Sequence, residues 1–369
     1  NVLREFLTQN TKENPFDHPE IKEVMNLCVS CKACKSECPS NVDMSTLKAE
    51  FLFQYQKTNP VALRSKLIAH NAKINALVHR FSGIYNALGK SSLFKRAIGV
   101  HPERSFPILK STTLRQWFSK YNQLAQAKVV YLFCDEYTNY YDVEIGKKAI
   151  KLLVKLGYSV KMPIHPESAR AYISKGFLNE AKAIASENIT LFRTLISKNT
   201  PLIGIEPSAI LGFRDEYPNL VNVNLKSAAE KVALNTFTIE EFLANEIDHS
   251  RIDISLFSMS TQTVYYHGHC HQKALSSNSY AERILSIPEN FTVQTIDSGC
   301  CGMAGSFGYE QEHYELSQQI GEDRLFPELR AAEFDVVVAA SGTSCRHQIR
   351  DGVNKIAIHP IEVLYNALN

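Results

Sequence analysis

Four cysteines near the N-terminus constrain this chain more than any other feature. Cys28, Cys31, Cys34 and Cys38 follow the spacing C-x2-C-x2-C-x3-C and are closed by Pro39. In the bacterial ferredoxin motif this spacing directs three thiolates at one [4Fe-4S] cluster, while the fourth thiolate ligates a neighbouring cluster. Zinc ribbons instead hold two C-x2-C pairs well apart. The spacing therefore predicts a [4Fe-4S] site rather than zinc or disulfides.

Length and composition limit the classes of protein that need to be considered. The chain has 369 residues, enough for about two or three domains. Its 40 Lys and Arg residues balance 38 Asp and Glu residues, so we expect no nucleic-acid partner. We also expect neither a membrane span nor a signal peptide. Free cysteines in metal-ligand spacings indicate a reducing, cytoplasmic compartment, and a first residue Asn1 suggests a fragment or a processed chain.

Residues 61–128 form a strongly basic segment that contains twelve Lys or Arg residues and one acid, Glu103. Apolar residues recur in it at helical spacing, which predicts amphipathic helices. Three interpretations remain open: a solvated basic linker, a docking surface for an acidic partner domain, and peripheral contact with an anionic inner-membrane surface. The apolar positions are Leu63, Leu67, Ile74, Leu77 and Phe81.

Beyond residue 128 the pattern changes to alternating strands and helices. Such alternation is typical of an α/β fold built around mostly parallel sheets. The predicted strands are 129–133, 160–163, 202–205, 263–267, 292–296 and 335–340, and the longest predicted helices are 143–156 and 177–197. The predicted domains are a helical ferredoxin-like module (1–60), a basic helical linker (61–127) and two α/β repeats (128–250 and 251–369). In the first of these, Asp43 is predicted to cap a helix that runs from Met44 to about Lys57.

The two α/β halves match each other at an offset of 135 or 136 positions. The match pairs three segments: Phe133-Cys134-Asp135 with His269-Cys270-His271, Pro163-Ile164-His165-Pro166 with Ser298-Gly299-Cys300-Cys301, and Glu206-Pro207-Ser208-Ala209 with Gly342-Thr343-Ser344-Cys345. The cysteines of the second half thus correspond to Cys134, His165, Pro166 and Ala209 in the first. We interpret the first half as a copy that has lost its ligand set, with His165 as an ordinary loop histidine.

Each cysteine of the second half follows a predicted strand. Because the carboxyl ends of parallel strands meet at one edge of a sheet, we expect Cys270, Cys300, Cys301 and Cys345 to converge. Four converging thiols predict a second metal site, which could hold either an iron–sulfur cluster or zinc.

Histidines flank these thiols along the sequence. Each could be a ligand, a hydrogen-bond donor to a thiolate or sulfide, or a polar loop residue. We favour the donor role, because hydrogen bonds to sulfur tune a cluster without replacing a ligand. The histidines concerned are His267, His269, His271 and His347.

Three stretches carry a family resemblance: LCVSCKACKSECPSNVDM (27–44), CCGMAGSFG (300–308) and SGTSCRHQI (341–349). The CCG motif, with Cys270 before it and Cys345 after it, resembles the cysteine-rich CCG domain. That domain occurs in heterodisulfide reductase, the glycolate oxidase iron–sulfur subunit and an anaerobic glycerol-3-phosphate dehydrogenase subunit. Nearly the whole chain is similar to the C-terminal half of fused FAD-linked oxidases of the D-lactate, glycolate and D-2-hydroxyglutarate dehydrogenase type.

The resemblance implies an electron-transfer function. In that family an FAD domain removes a hydride from a D-2-hydroxy acid, and iron–sulfur clusters pass electrons singly to a quinone or another electron carrier. No counterpart of the FAD domain occurs in this chain, so the resemblance implies an FAD-binding domain or subunit as partner. It also implies a second ferredoxin motif upstream of Asn1, whose cluster Cys38 would share. It assigns no catalytic residue to this chain.

One departure from the heterodisulfide reductase pattern affects this expectation. That pattern ends in C-x-x-C, but here Gln348 stands three residues after Cys345. A cluster that needs five cysteines is therefore not favoured. Two other functions stay open at this point: a disulfide or thiol reductase with a catalytic cluster at the CCG site, and a zinc-stabilised docking scaffold.

Overall fold

The computed structural model describes residues 2–8 and 12–369, and its N-terminal region is helical around the first cysteine motif. The carboxylate of Asp43 accepts a hydrogen bond from the Thr46 N–H at 3.0 Å, which confirms the predicted helix cap. The helices of the N-terminal region are α1 (Val2–Thr8), α2 (Pro19–Asn26), α3 (Ala33–Glu37) and α4 (Met44–Tyr55).

The basic segment folds into five short helices. They are α5 (Leu63–Ala69), α6 (Asn71–Val78), α7 (Ser82–Leu88), α8 (Ser92–Ala97) and α9 (Leu114–Phe118), with a 3-10 turn at His79–Phe81. The predicted apolar face is only partly covered, since the side chains of Leu63 and Leu77 are 69% and 75% exposed. None of the helices in the described part of the chain is both long and apolar enough to cross a bilayer.

The first sheet is fully parallel and has the strand order β2-β1-β3-β4. Its strands are β1 (Lys128–Phe133), β2 (Tyr158–Lys161), β3 (Leu202–Gly204) and β4 (Thr236–Thr238). Its helices are α10 (Glu136–Tyr140), α11 (Val143–Lys155), α12 (Arg170–Ser174), α13 (Leu178–Phe192), α14 (Pro207–Ile210), α15 (Tyr217–Leu220), α16 (Lys226–Ala233) and α17 (Ile239–Asp248), with 3-10 turns at Leu211–Phe213 and Val223–Leu225.

The second sheet is also fully parallel and has the strand order β6-β5-β7-β8. Its strands are β5 (Gln262–His267), β6 (Phe291–Thr295), β7 (Val337–Ala340) and β8 (Ala357–Ile358). Its helices are α18 (Cys270–Leu275), α19 (Ser279–Leu285), α20 (Tyr314–Asp323), α21 (Leu325–Ala331), α22 (Thr343–Val353) and α23 (Pro360–Asn366), with 3-10 turns at Ile254–Leu256, Phe307–Tyr309 and Gln311–His313. These sheets confirm the predicted α/β class.

The two sheets share one apolar core. Helix α11 packs against α23, and α17 packs against α19, so helices of both units meet between the sheets. One continuous cluster of buried side chains includes Leu132 of β1, Ile150 of α11, Val264 of β5 and Ile361 of α23. Because separating the sheets would expose this cluster to water, the core fixes the position of one α/β unit against the other.

Candidate metal centre

The four cysteines of the C-terminal half lie at the carboxyl edge of the second sheet. Cys270 begins α18 after β5, Cys300 and Cys301 lie in the loop after β6, and Cys345 lies in the first turn of α22 after β7. Side-chain contacts connect Cys270 to Cys300, Cys300 to Cys301, and Cys301 to Cys345. Three segments distant in sequence therefore bring four sulfur atoms to one place. That these thiols bind a metal stays a prediction.

The chemistry of this group fits a metal centre. The hydrogen bond with Cys300, together with burial, raises the pKa of the Cys270 thiol well above its usual range. Cys301 and Cys345 are each 2% exposed. Buried thiolates this close would repel each other, whereas a coordinated metal deprotonates its thiol ligands and compensates their charge. A buried set of four sulfur donors suits either zinc or an iron–sulfur cluster.

His267, at the end of β5, adds a nitrogen atom to this group. One of its ring nitrogens and the sulfurs of Cys301 and Cys345 lie within 4.8 Å of one another. Its Nδ1 lies 2.7 Å from Ser298 Oγ, and its Nε2 has no hydrogen-bond partner among the described residues. Burial lowers the pKa of His267 to about 3, so the ring is neutral. If Nδ1 donates to Ser298, Nε2 keeps a lone pair and can bind metal.

Two of the other predicted histidines have contacts away from the sulfur atoms. The Nε2 of His269 lies 3.7 Å from Glu206 Oε1, in the first α/β unit. The Nδ1 of His347 lies 2.8 Å from the Tyr309 hydroxyl. His271 contacts the N-terminal motif. The predicted role of these three histidines as donors to sulfur stays a prediction.

Gln348, where the sequence departs from C-x-x-C, binds a buried arginine. Its Oε1 accepts a hydrogen bond from Arg104 Nη1 at 2.6 Å, and its Nε2 donates to the Ser317 carbonyl at 3.0 Å. Arg104 is fully buried and also donates to the Gly308 carbonyl at 2.6 Å. This arginine therefore joins the basic segment to the CCG loop. Sequence reasoning missed it, because nothing distinguishes Arg104 from the other basic residues of the segment.

Gly302 allows the CCG loop to adopt its backbone path. Its φ is +93°, and a Cβ atom at this position would lie 2.1 Å from the Ser317 carbonyl oxygen. Any side chain here would therefore be strained and would also collide with backbone. The Gly302 N–H approaches the Cys300 sulfur at 3.4 Å, so the same turn supplies a donor to one of the thiols.

The N-terminal motif folds as a loop followed by a short helix. Cys28 and Cys31 precede α3, Cys34 lies within it, and Cys38 follows its last residue. Burial raises the pKa of Cys31, and the negative charges of Cys270, Cys28 and Cys34 raise it further. The thiols of Cys28, Cys31 and Cys34 are therefore close enough to interact, and Cys270 of the second group is within electrostatic range of them.

Cys38 has a different environment from the other three motif cysteines. Backbone N–H groups of Val42 and Ser40 lower the pKa of its thiol, and no cysteine contributes to that shift. This difference is compatible with a motif in which the fourth thiolate ligates a neighbouring cluster.

Lys32 anchors the N-terminal motif to the first α/β unit. It adopts a left-handed backbone conformation with φ of 65°, and it is 1% exposed. Its Nζ lies 3.0 Å from Asp43 and 3.1 Å from Glu216, and it also forms an ion pair with Asp215. A buried ammonium group needs such compensation. Sequence reasoning missed this role, since Asp215 and Glu216 lie far along the chain.

The two cysteine groups are in contact through one hydrogen bond. Helix α3 packs on α18, and the Nε2 of His271 lies 3.0 Å from the Ser30 carbonyl oxygen, to which it donates. His271 follows Cys270, and Ser30 precedes Cys31. A path of covalent bonds interrupted by a single hydrogen bond therefore connects a thiol of one group with a thiol of the other.

The first α/β unit has no comparable group among its described residues. Cys134 is 3% exposed, burial raises the pKa of its thiol to about 12, and its sulfur lies 3.6 Å from Asn139 Oδ1. The Nε2 of His165 accepts a hydrogen bond from the Cys134 N–H at 3.0 Å, and Nδ1 lies 2.7 Å from the Pro166 carbonyl. This confirms His165 as a hydrogen-bonded loop histidine. Cys134 belongs to none of the metal-competent groups found in the described part of the chain.

Comparison with known proteins supports the assignment of iron–sulfur chemistry. A family model described as a 4Fe-4S dicluster domain matches residues 2–43. The chain is 27% identical over 372 residues to D-2-hydroxyglutarate dehydrogenase of Escherichia coli (strain K12), covering 96% of this chain and 35% of that protein. No solved structure matches at a significant level.

Two shorter relatives are matched over most of their own length. One is a subunit of the anaerobic glycerol-3-phosphate dehydrogenase of Escherichia coli (strain K12), at 28% identity over 89% of this chain and 83% of that protein. The other is a probable glycolate oxidase iron-sulfur subunit of Bacillus subtilis (strain 168), at 23% identity over 91% and 79%.

These matches confirm the predicted resemblance to the iron–sulfur half of FAD-linked oxidases and to related iron–sulfur subunits. The chain spans about a third of the length of the D-2-hydroxyglutarate dehydrogenases that it matches. The relatives of similar length are dehydrogenase or oxidase subunits.

Proposed function

We propose that this chain is the electron-transfer part of an FAD-dependent dehydrogenase of D-2-hydroxy acids. The observation that carries the proposal is the hydrogen-bonded contact between the two cysteine groups through His271 and Ser30. The names of the relatives support the substrate class, because they include D-2-hydroxyglutarate dehydrogenase and a glycolate oxidase subunit. The flavin domain that oxidises the hydroxy acid lies on another part of the polypeptide or on a partner subunit.

The N-terminal motif is the proposed [4Fe-4S] site of a ferredoxin-like module. Cys28, Cys31 and Cys34 would hold one cluster, and Cys38 would ligate its neighbour, as in a dicluster domain. When bound, such a cluster accepts and passes one electron at a time, whereas a flavin takes two. Lys48 donates to the Cys28 carbonyl at 2.6 Å and so holds a positive charge beside the thiolates. That charge offsets part of the negative charge of the site.

His271 is the proposed positioning residue between the two sites. Its neutral ring donates to Ser30, because burial lowers its pKa to about 3 and a carbonyl oxygen only accepts. The hydrogen bond fixes the distance between the loop before Cys31 and the start of α18. His271 thus keeps the N-terminal motif next to Cys270.

The CCG site is proposed as the second metal centre. Its donors are the four thiols and, by geometry, Nε2 of His267. An iron–sulfur cluster there would continue the electron path, while zinc would make the site structural. Gln348 binds Arg104 instead of adding a fifth thiol, which does not favour the disulfide reductase function. The donors are Cys270, Cys300, Cys301, Cys345 and His267.

We also propose that the two α/β units are copies of one ancestral unit. In each sheet the second strand of the unit (β2 or β6) lies at the edge, and the first strand (β1 or β5) lies beside it. The registers agree as well: Lys128 pairs with Tyr158 in one sheet, and the corresponding residues Val264 and Val293 pair in the other. The first copy then has Cys134 as the remnant of its ligand set.

The proposed acceptor is a quinone or another electron carrier, reached at a membrane surface. Seven large apolar side chains between residues 63 and 93 are exposed, among them Phe81 (64%) and Leu93 (79%). They alternate with exposed basic residues such as Lys73 and Arg80. Apolar insertion combined with attraction to anionic lipids is typical of peripheral membrane helices.

Vesicle co-sedimentation tests the membrane proposal. We expect the chain to bind vesicles with anionic lipids more strongly than neutral vesicles, and Phe81→Asp with Leu93→Asp to abolish this binding. The matched control is Val223→Asp, at a position that is 90% exposed in the first α/β unit. Equal sedimentation of all variants would contradict the proposal.

Metal analysis after anaerobic reconstitution tests the proposed function as a whole. We expect iron and acid-labile sulfide, with an EPR signal on reduction that arises from two interacting centres. Zinc without iron would instead support a docking scaffold. Turnover of a disulfide with reduced dye as electron donor would support the reductase function.

A further inference from the structure

A cavity of about 440 Å³ lies between the basic segment and both cysteine groups. One end is lined by Cys31 of the N-terminal motif and by the four thiols of the CCG site. Another part of the wall is formed by α5, α6 and α8 with the loop that follows them, through Leu67, Ile74, Phe94 and Phe106. The volume is in the range of sites that bind small organic molecules.

The composition of the wall limits what can fill this space. Leu67, Ile74, Phe94 and Phe106 offer no atom that binds iron or zinc, so a metal centre accounts for only the thiol end. A polar peptide or a sugar would lose its hydrogen bonds to water against these side chains, which is costly. The occupant therefore has an apolar body whose reactive group can approach the thiol end.

Polar side chains near the thiols complete the site. Glu206 lies in the cavity wall, where its carboxylate accepts hydrogen bonds from the Thr343 N–H at 2.9 Å and from the Ser208 hydroxyl at 2.7 Å. These contacts fix the carboxyl group at the end where the cysteines lie.

We propose that this cavity binds a quinone, with the ring next to the metal centre proposed at the thiol end and the alkyl chain along the wall formed by α5, α6 and α8. The assignment rests on the proposed electron-transfer function, and it identifies the acceptor and its site. In the reaction the quinone gains two electrons, which the 2-hydroxy acid loses when the flavin domain oxidises it to the 2-oxo acid. It also gains two protons from solvent and becomes the quinol.

Binding of decylubiquinone to the reconstituted chain, measured by calorimetry, tests the assignment. Its fully substituted ring has no open position for addition of a cysteine thiol. Ile74→Trp fills the cavity, whereas Ala76→Trp places the same side chain at an exposed position of the same helix that does not line the cavity. We expect Ala76→Trp to bind like the unaltered chain and Ile74→Trp to bind at least about tenfold more weakly.

A second cavity variant keeps the test decisive if Ile74→Trp does not fold. Ile98→Phe adds less volume from another part of the wall, and circular dichroism with thermal unfolding identifies any variant that does not fold. Undiminished binding by folded Ile74→Trp and Ile98→Phe would overturn the proposal. The proposal would also be overturned if the chain does not bind the quinone but binds glutathione disulfide, and if that binding depends on Ile74.

Metal content separates this proposal from the function on which it rests. A chain with iron and sulfide that fails to bind decylubiquinone would overturn the cavity assignment alone. A chain that binds the quinone in the cavity but takes up only zinc would support the binding site and contradict the electron-transfer function.

Discussion

At the scale of single residues, the adjacent thiols Cys300 and Cys301 are central to the proposed second site. We expect replacement of both by Ser to remove the metal of the CCG site and to spare that of the N-terminal motif, because the motif has its own cysteines. Iron, zinc and sulfide counts measure the effect. Cys134→Ser is the control: Cys134 is also buried but belongs to no metal-competent group among the described residues. Unchanged metal content in the double variant would refute the assignment.

Gln348 leads to a second prediction at this scale. We expect Gln348→Cys to add no iron, because the side chain at this position is directed to Arg104. The change should instead lower the free energy of unfolding by about 2–3 kcal/mol, since a buried guanidinium loses a hydrogen-bond partner. Urea unfolding and metal counts measure both effects, and Gln294→Cys at an exposed position of β6 is the control. A gain of iron in Gln348→Cys would contradict this account.

The sequence predicted residue roles only where they follow from local spacing. The cysteine motifs and the Asp43 cap could be predicted, because a ligand set or a cap depends on neighbours a few positions away. Lys32 could not be predicted, since its partner Asp215 lies 183 positions along the chain. The approach of His267 to Cys301 and Cys345 also depends on how β5, β6 and β7 are paired.

At the scale of elements, the packing of α3 on α18 determines how the two cysteine groups meet. We expect His271→Phe to weaken this packing by about 1 kcal/mol, because the Ser30 carbonyl loses its donor. Amide hydrogen exchange in residues 29–34 should then become faster while metal content is unchanged. Transfer of electrons between the two sites should also slow, as measured by rapid-mixing EPR.

The control for the His271→Phe prediction is a histidine that does not connect the two cysteine groups. His249 is exposed, and its Nδ1 lies 2.6 Å from the Asn245 carbonyl within its own helix region. We expect His249→Phe to leave exchange in residues 29–34 unchanged. If amide hydrogen exchange in residues 29–34 is equally fast in His271→Phe and in His249→Phe, then α3 and α18 are held together by other contacts.

Most elements of both sheets were predictable, and the exceptions have a physical reason. The predicted strands at 129–133 and 263–267 coincide with β1 and β5 to within one residue, because each is a run of β-branched and aromatic residues. Strands β4 and β8 were missed, since they have three and two residues and no periodicity can be recognised at that length. Each lies at an edge of its own sheet: β4 at the edge opposite β2, and β8 at the edge opposite β6.

At the scale of the whole molecule, function depends on surfaces that no single segment contains. The basic segment was expected to be a linker, a docking surface or a membrane contact, but its helices also close a cavity over both cysteine groups. Arg104 and Lys32 anchor the segment and the N-terminal motif to different α/β units. The sequence could not predict this arrangement, because it depends on how the two sheets share their core.

Buried histidines should make the whole fold sensitive to acid. Burial lowers the pKa of His165 and of His359 to about 3, whereas an unfolded histidine has a pKa near 6.5. Both rings accept a backbone hydrogen bond that only the neutral form can accept, from Cys134 and Ile361. Their contribution to stability is therefore complete above about pH 6.5 and is lost as the pH falls towards 3.

Comparison of variants isolates this effect from other titrating groups. Burial raises the pKa of Asp135 to about 8, so this carboxyl acts in the opposite sense and loses its contribution as the pH rises. We expect the free energy of unfolding to fall by about 1–2 kcal/mol per buried histidine between pH 7 and pH 5. His165→Asn with His359→Asn should remove this part of the slope, because asparagine accepts hydrogen bonds without titrating. The exposed His249→Asn should not change it, and equal slopes in all variants by urea unfolding would show that the buried rings do not control acid stability.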